Sequence, residues 1–122
     1  MNTAKSLLAL LALGSSMAMA ECMQPESPTL PDGSSATMDD MIAGQQAVKA
    51  FQAANLEYMG CLETQFTAAK KTIEEGKASD AEALKAAYEK DVEAYNEAVS
   101  AEEALAGQFN TEIREFRAAN PD

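Results

Sequence analysis

Two thiols, a methionine pair and a row of glutamates are the residues of this chain whose types and spacing suggest chemistry. Cys22 and Cys61 are its two cysteines. They are not in a C-x-x-C arrangement, and no Lys, Arg or His stands beside either one to depress a thiol pKa. A redox-active or metal-binding thiol pair is therefore the weaker reading, and a structural disulfide is expected. Met38-x-x-Met41, with Asp39 and Asp40 between, offers mixed soft and hard donors to a metal. Methionines at helical spacing more commonly fill a core, and that reading is preferred. Glu89, Glu93 and Glu97 recur at i, i+4 and i+8, on one face of a helix. Without an Asp/Gly-rich loop of EF-hand type they read as a solvated acidic face, a candidate interaction surface for a cation or a cationic partner.

What is missing narrows the function further. The 122 residues include no His, which removes an imidazole base, Ser/His and Cys/His nucleophilic pairs, and His-based zinc or copper sites. Paired carboxylates remain chemically available, but acids spread along solvent faces of rods supply no evident cleft. No enzyme activity and no cofactor are expected. Twenty acidic residues against nine basic ones give a formal charge of −11, which repels a phosphate backbone, so nucleic acid is not an expected partner.

The first twenty residues read as an export signal. Lys5 precedes the apolar run Leu7-Leu8-Ala9-Leu10-Leu11-Ala12-Leu13, and Ala18-Met19-Ala20 forms an A-x-A site, so cleavage is expected between Ala20 and Glu21. That apolar run is far shorter than the roughly 20 residues that span a bilayer, and Glu21 before Cys22 does not suit a lipobox. The leader holds one Lys and no acid, so the remaining 102 residues would carry 8 basic and 20 acidic groups. The expected product is a small periplasmic or secreted protein without stable membrane insertion. In that oxidising setting an even cysteine count favours a Cys22–Cys61 disulfide, which closes about 38 residues and is worth at most roughly 4 kcal/mol in the chain-entropy model.

The elements that hold these residues follow from proline, glycine and apolar spacing. Residues 21–36 contain Pro25, Pro28 and Pro31 followed by Asp32-Gly33-Ser34-Ser35, an extended arm ending in a turn. Thr37 and Asp40 form a capping-box pattern, and Asp39 and Asp40 suit the positive end of a helix dipole. Met41, Val48, Phe51, Tyr58, Met59, Leu62, Phe66, Ala69 and Ile73 then recur at helical spacing up to Gly76. Ser79 and Glu82 repeat the capping box and open a second tract, in which Val92, Tyr95, Val99, Ala106, Phe109, Ile113 and Phe116 alternate by three and four, with Glu102 interrupting. Asn120-Pro121 ends it.

These signals predict an all-α fold: helices over about 38–75 and 80–119 form an antiparallel hairpin spanning 37–122, because a four-residue connection leaves no other neighbour relation. Facing residues should have numbers adding to about 154. Phe66 then meets Tyr88, Leu62 meets Val92, Asn55 meets Val99, Val48 meets Ala106 and Met41 meets Ile113. Asn55 and Glu102 put polar groups at the seam, and Asn55 reads as a register-fixing residue. Cys61 lies about 24 residues into the first helix, roughly 36 Å along it. The arm can span about 46 Å, so it must run back along the hairpin, where Met23, Leu30 and the proline rings are expected to insert between the helices. Such a layer partly answers the small core of a two-helix domain. Self-association as a homodimer, forming a four-helix bundle, is the other answer.

Cys22-x-x-Pro25-x-x-Pro28-x-x-Pro31-Asp32-Gly33 and Tyr58-Met59-Gly60-Cys61-Leu62 resemble a pattern of small uncharacterised secreted proteins of Gram-negative bacteria, over about the first half of the exported chain. The resemblance implies the same disulfide and localisation and brings no activity. Leu62-Glu63-Thr64-Gln65 departs from the L-T-x-x-Q spacing of the small periplasmic stress chaperones. The expected function is that of an envelope structural or protein-interaction factor with an unidentified protein partner. The alternative is a chaperone-like module holding apolar client segments or an amphipathic ligand.

Overall fold

The Thr37 hydroxyl accepts the Asp40 amide proton at 3.1 Å and the Asp40 carboxylate accepts the Thr37 amide proton at 2.9 Å, so both halves of the capping box are made. From this cap, helix α1 runs unbroken over Met38–Glu74 in the computed structural model, which describes residues 21–122. The export signal (1–20) and the cleavage point after Ala20 lie outside the described residues. Gly76, at φ 67°, closes α1: its own N–H reaches the Ile73 carbonyl and that of Lys77 reaches the Thr72 carbonyl, both at 3.1 Å. This Schellman closure needs the left-handed backbone that glycine adopts without strain.

Helix α2 spans Ala81–Ala119. Its cap corrects the expected one. Asp80, not Ser79, is the N-cap, and its carboxylate accepts the Ala83 N–H at 3.0 Å. A charged acceptor at the positive helix end outcompetes a serine hydroxyl one residue earlier. The two helices pack as an antiparallel hairpin, and the described residues contain no strand.

Two apolar clusters form the seam. Met41, Val48, Phe51, Leu105 and Phe109 fill the open end, with Leu30, Ala36, Ile113 and Phe116 against them. Tyr58, Met59, Leu62 and Ala98 fill the half nearer the turn, with Cys22, Ala94 and Tyr95 against them. Phe66 meets Tyr88 as the loop geometry requires, at 6.0 Å and 89°, and also Tyr95 at 5.9 Å and 85°, both edge-to-face.

Elsewhere the α2 seam is rotated by one residue from the expected one. Ala98 and Leu105 are buried while Val99 is 36% exposed, and Asn55 meets Ala98 rather than Val99. Apart from Met59, the buried positions of α1 (Met41, Gly44, Val48, Phe51, Asn55, Tyr58, Leu62) alternate by three and four, the period of a coiled-coil seam. The matching row on α2 holds Tyr95, Ala98, Glu102, Leu105, Phe109 and Glu112, which leaves Val92, Val99, Ala106 and Ile113 one step to the side.

The arm lies along one side of this seam. Cys22 and Cys61 form the disulfide, with Cα atoms 5.6 Å apart. Cys22, Pro25, Pro28 and Pro31 are all half-buried, whereas the residues between them are exposed apart from Leu30. A burial period of three is that of a chain with three residues per turn, so one edge of the arm faces the helices. Leu30 packs on the open-end cluster, but Met23 is 86% exposed instead of inserted, because it stands on the outer edge of that three-residue period.

Candidate functional site

Where the arm ends, the chain builds a polar junction against α2. The Asp32 carboxylate accepts the Ser34 amide at 3.0 Å and the Ser34 hydroxyl at 2.6 Å, while its carbonyl accepts the amides of Ser35 and Ala36. This turn presents Gly33 to α2, where its N–H donates to Glu112 Oε2 at 2.6 Å. Gly33 is buried, and a Cβ there would overlap the Glu112 carbonyl oxygen. A second close approach locks the arm to α1: a Cβ on Gly44 would sit 2.8 Å from Pro31 Cδ and 3.2 Å from Phe109 Cε2. Glycine at both places lets backbone and ring come within ordinary contact.

Asp32, Glu112 and Glu115 bring carboxylate oxygens within 4.8 Å of one another. Repulsion from Glu112 raises the Glu115 pKa above its ordinary 4.5, with desolvation, a hydrogen bond to Glu112 and the charge of Asp32 adding to it. Asp32 is held below its ordinary 3.8 by the Ser34 hydroxyl and then the Ser34 amide. Three such carboxylates are the donor type of a hard cation. Here Glu112 is already engaged by Gly33 and Asp32 by Ser34, so the group works first as an arm dock. Sequence reading did not bring these acids together. The available signal was Glu112 itself, an acid on the seam row between Phe109 and Phe116.

Midway along the seam, Asn55 is 2% exposed. Its Nδ2 donates to the Ala98 carbonyl at 3.0 Å and lies 3.4 Å from Glu102 Oε2. The two polar interruptions expected from the sequence thus satisfy each other across the hairpin, and Asn55 ties the register of α1 to one carbonyl of α2.

The other singled-out residues remain apart. Glu89, Glu93 and Glu97 are exposed along the outer side of α2, bordering a shallow depression with Tyr88, Val92 and Asn96. Met38 is 60% exposed and Met41 is buried in the core, so the pair does not converge on a ligand.

The side of the seam opposite the arm is left open and exposes scattered apolar residues among polar ones. Met38, Met41, Ile42, Phe109, Ile113 and Phe116 line a groove of roughly 560 Å³ at the open end, rimmed by Gln45 and Arg117. Farther along, Leu56 is 68% exposed and Val99 projects at the seam edge. The groove mixes these apolar side chains with the polar and charged groups of Gln45, Arg117, Asn120 and Asp122.

Among the described residues, no helix is long and apolar enough to cross a membrane. No family model, curated protein or solved structure matches this chain.

Proposed function

We propose that this is a non-enzymatic, exported envelope protein that works by protein contact, using the hairpin side left open by its arm. One observation carries the reading: the arm seals one side of the seam through Cys22, Pro31 and Gly33, while the other side retains exposed Ile42, Leu56 and Val99. A disulfide in a chain with a leader-like start supports export, as does the resemblance of the Cys/Pro arm to small secreted proteins. Of the carboxylates that do converge, Glu112 and Asp32 are held by the turn of the arm and Asp32 and Glu115 are exposed to water, which favours a structural role over acid–base chemistry.

The experiment is capture of the tagged, exported chain from envelope extract after brief cross-linking, beside a variant carrying Leu56→Glu and Val99→Glu. Adducts present in the parent and absent from the variant are expected. Adducts unchanged by the variant would contradict the reading. A second reading, a chaperone-like holder of apolar client segments, is favoured by the groove at the open end. Suppression of a model client's aggregation at equimolar protein, lost with Ile42→Glu, would select it over a structural contact.

A further inference from the structure

We infer that the surface opposite the arm receives a second copy of this chain, giving a four-helix bundle in which α1 of each copy lies antiparallel beside α2 of the other. This rests on the contact reading above and names its partner. Helix phase puts two rows of each helix on this surface. On α1 the row Gln45, Gln52, Met59, Phe66 and Ile73 follows the seam row on the side away from the arm, and Ile42, Lys49, Leu56, Glu63 and Lys70 lie next to it. On α2 the same two rows are Val92, Val99, Ala106, Ile113 and then Glu89, Asn96, Glu103, Asn110, Arg117. The centre of these paired rows is about 105° around each helix from the hairpin seam, close to the right angle at which a helix in a square bundle meets its second neighbour. The groove at the open end joins members of these rows from both helices, Ile42 and Gln45 with Ile113 and Arg117, which confirms that they share a side.

Charge selects both the occupant and its orientation. Between residues 41 and 56, α1 carries a single charge, Lys49. Between residues 91 and 112, α2 carries six acids and no base. A partner presenting a neutral helix beside an acidic one is what a second copy offers when α1 meets α2. The Asn55–Ala98 bond sets the level of one helix against the other. With a two-fold axis along the bundle, the same levels apply between copies: Lys49 falls opposite Glu103 of the second copy, Lys70 opposite Glu82, Leu56 beside Asn96 and Val99, and Ile42 beside Asn110 and Ile113. The alternative axis, across the bundle, stacks α2 on α2 and lays the base-free acidic stretch 91–112 of one copy along that of the other. Like charges at close range disfavour that arrangement.

The test is sedimentation velocity of the exported, disulfide-bonded protein over a concentration series, with carbodiimide cross-linking of mixed isotope-labelled and unlabelled copies. A dimer is expected, with Lys49–Glu103 links between copies. Lys49→Glu should weaken dimerisation about tenfold, through two symmetric repulsive pairs, and Glu103→Lys added to it should restore the parent affinity. Leu56→Glu should give monomers with parent helicity by circular dichroism. A monomer at every concentration would overturn the inference, as would a dimer without Lys49–Glu103 links. If a monomeric protein still yields adducts through Leu56 with another envelope protein, the homodimer fails and the contact reading stands. Absence of adducts altogether sinks both.

Discussion

Gly33 and Glu112, 79 positions apart, are joined twice: the glycine N–H donates to the glutamate side chain at 2.6 Å, and the glycine Cα packs on the glutamate's own main-chain carbonyl. The side chain of α2 thereby orients the arm while its backbone limits what residue the arm can place there. Gly33→Ala should undock the turn. Hydrogen exchange at residues 29–36 should rise sharply while the amides of both helices keep their protection; unchanged exchange in the turn would refute the dock.

Gly44→Ala tests the other close approach. The added methyl must displace the Pro31 ring or Phe109, and neither is a flexible chain end. Overpacking of this kind costs about 1–3 kcal/mol, to be read as a lower midpoint in chemical denaturation. Gly60→Ala is the matched control, since a Cβ at Gly60 meets nothing within 4 Å, and it should be neutral or slightly stabilising.

Asn55→Asp should be more harmful than its near-identical size suggests. It replaces a donor with a carboxylate facing the Ala98 carbonyl and Glu102. A loss of about 1–3 kcal/mol at neutral pH is expected, shrinking as acid protonates the new carboxyl and restores a donor. A loss independent of pH would contradict the assigned hydrogen bonds.

Removing both cysteines by Cys22→Ala and Cys61→Ala should lower stability by up to roughly 4 kcal/mol. Far-ultraviolet dichroism should stay helical, because the seam clusters lie mostly within α1 and α2. Faster proteolytic cleavage within residues 22–28 should report release of the arm's start. Collapse of helicity in this variant would show that the hairpin depends on the tether.

Acidification should act in two stages of opposite sign. Glu115 has a raised pKa, so its carboxylate is disfavoured in the folded protein; protonating it, from above its ordinary 4.5, relieves repulsion by Glu112 and adds stability. Asp32 and Asp40 have lowered pKa values, so the stability they contribute is present above 3.8 and is lost as pH falls through their folded values, loosening the turn and the α1 cap. Denaturation midpoints measured across this range should pass through a shallow maximum. Glu115→Gln should flatten the upper side of that maximum and leave the acid loss in place.

Much of the fold was legible because independent signals agreed. The Thr37 cap, the Gly76 stop and the short connection require the hairpin, and the Phe66–Tyr88 contact follows from the turn's position alone. The one-residue rotation of α2 was not legible from apolar spacing, since Val99 is more apolar than Ala98. The decisive facts are that a small residue lets the helices approach and that the Asn55 amide needs a carbonyl there. Met23 was not legible from its apolarity, because its place on the outer edge of the arm's three-residue period keeps it in water. The Asp32, Glu112 and Glu115 junction depends on where the arm stops along α2, which no local pattern encodes.

In-cell photo-cross-linking, with the reactive residue placed in turn at Leu56 and at Thr29, tests the account most directly. Leu56 is 68% exposed on the open side, and Thr29 borders the side the arm covers. Adducts from Leu56, to a second copy or to another envelope protein, with none from Thr29, are the predicted result. Adducts from Thr29 and none from Leu56 would contradict it.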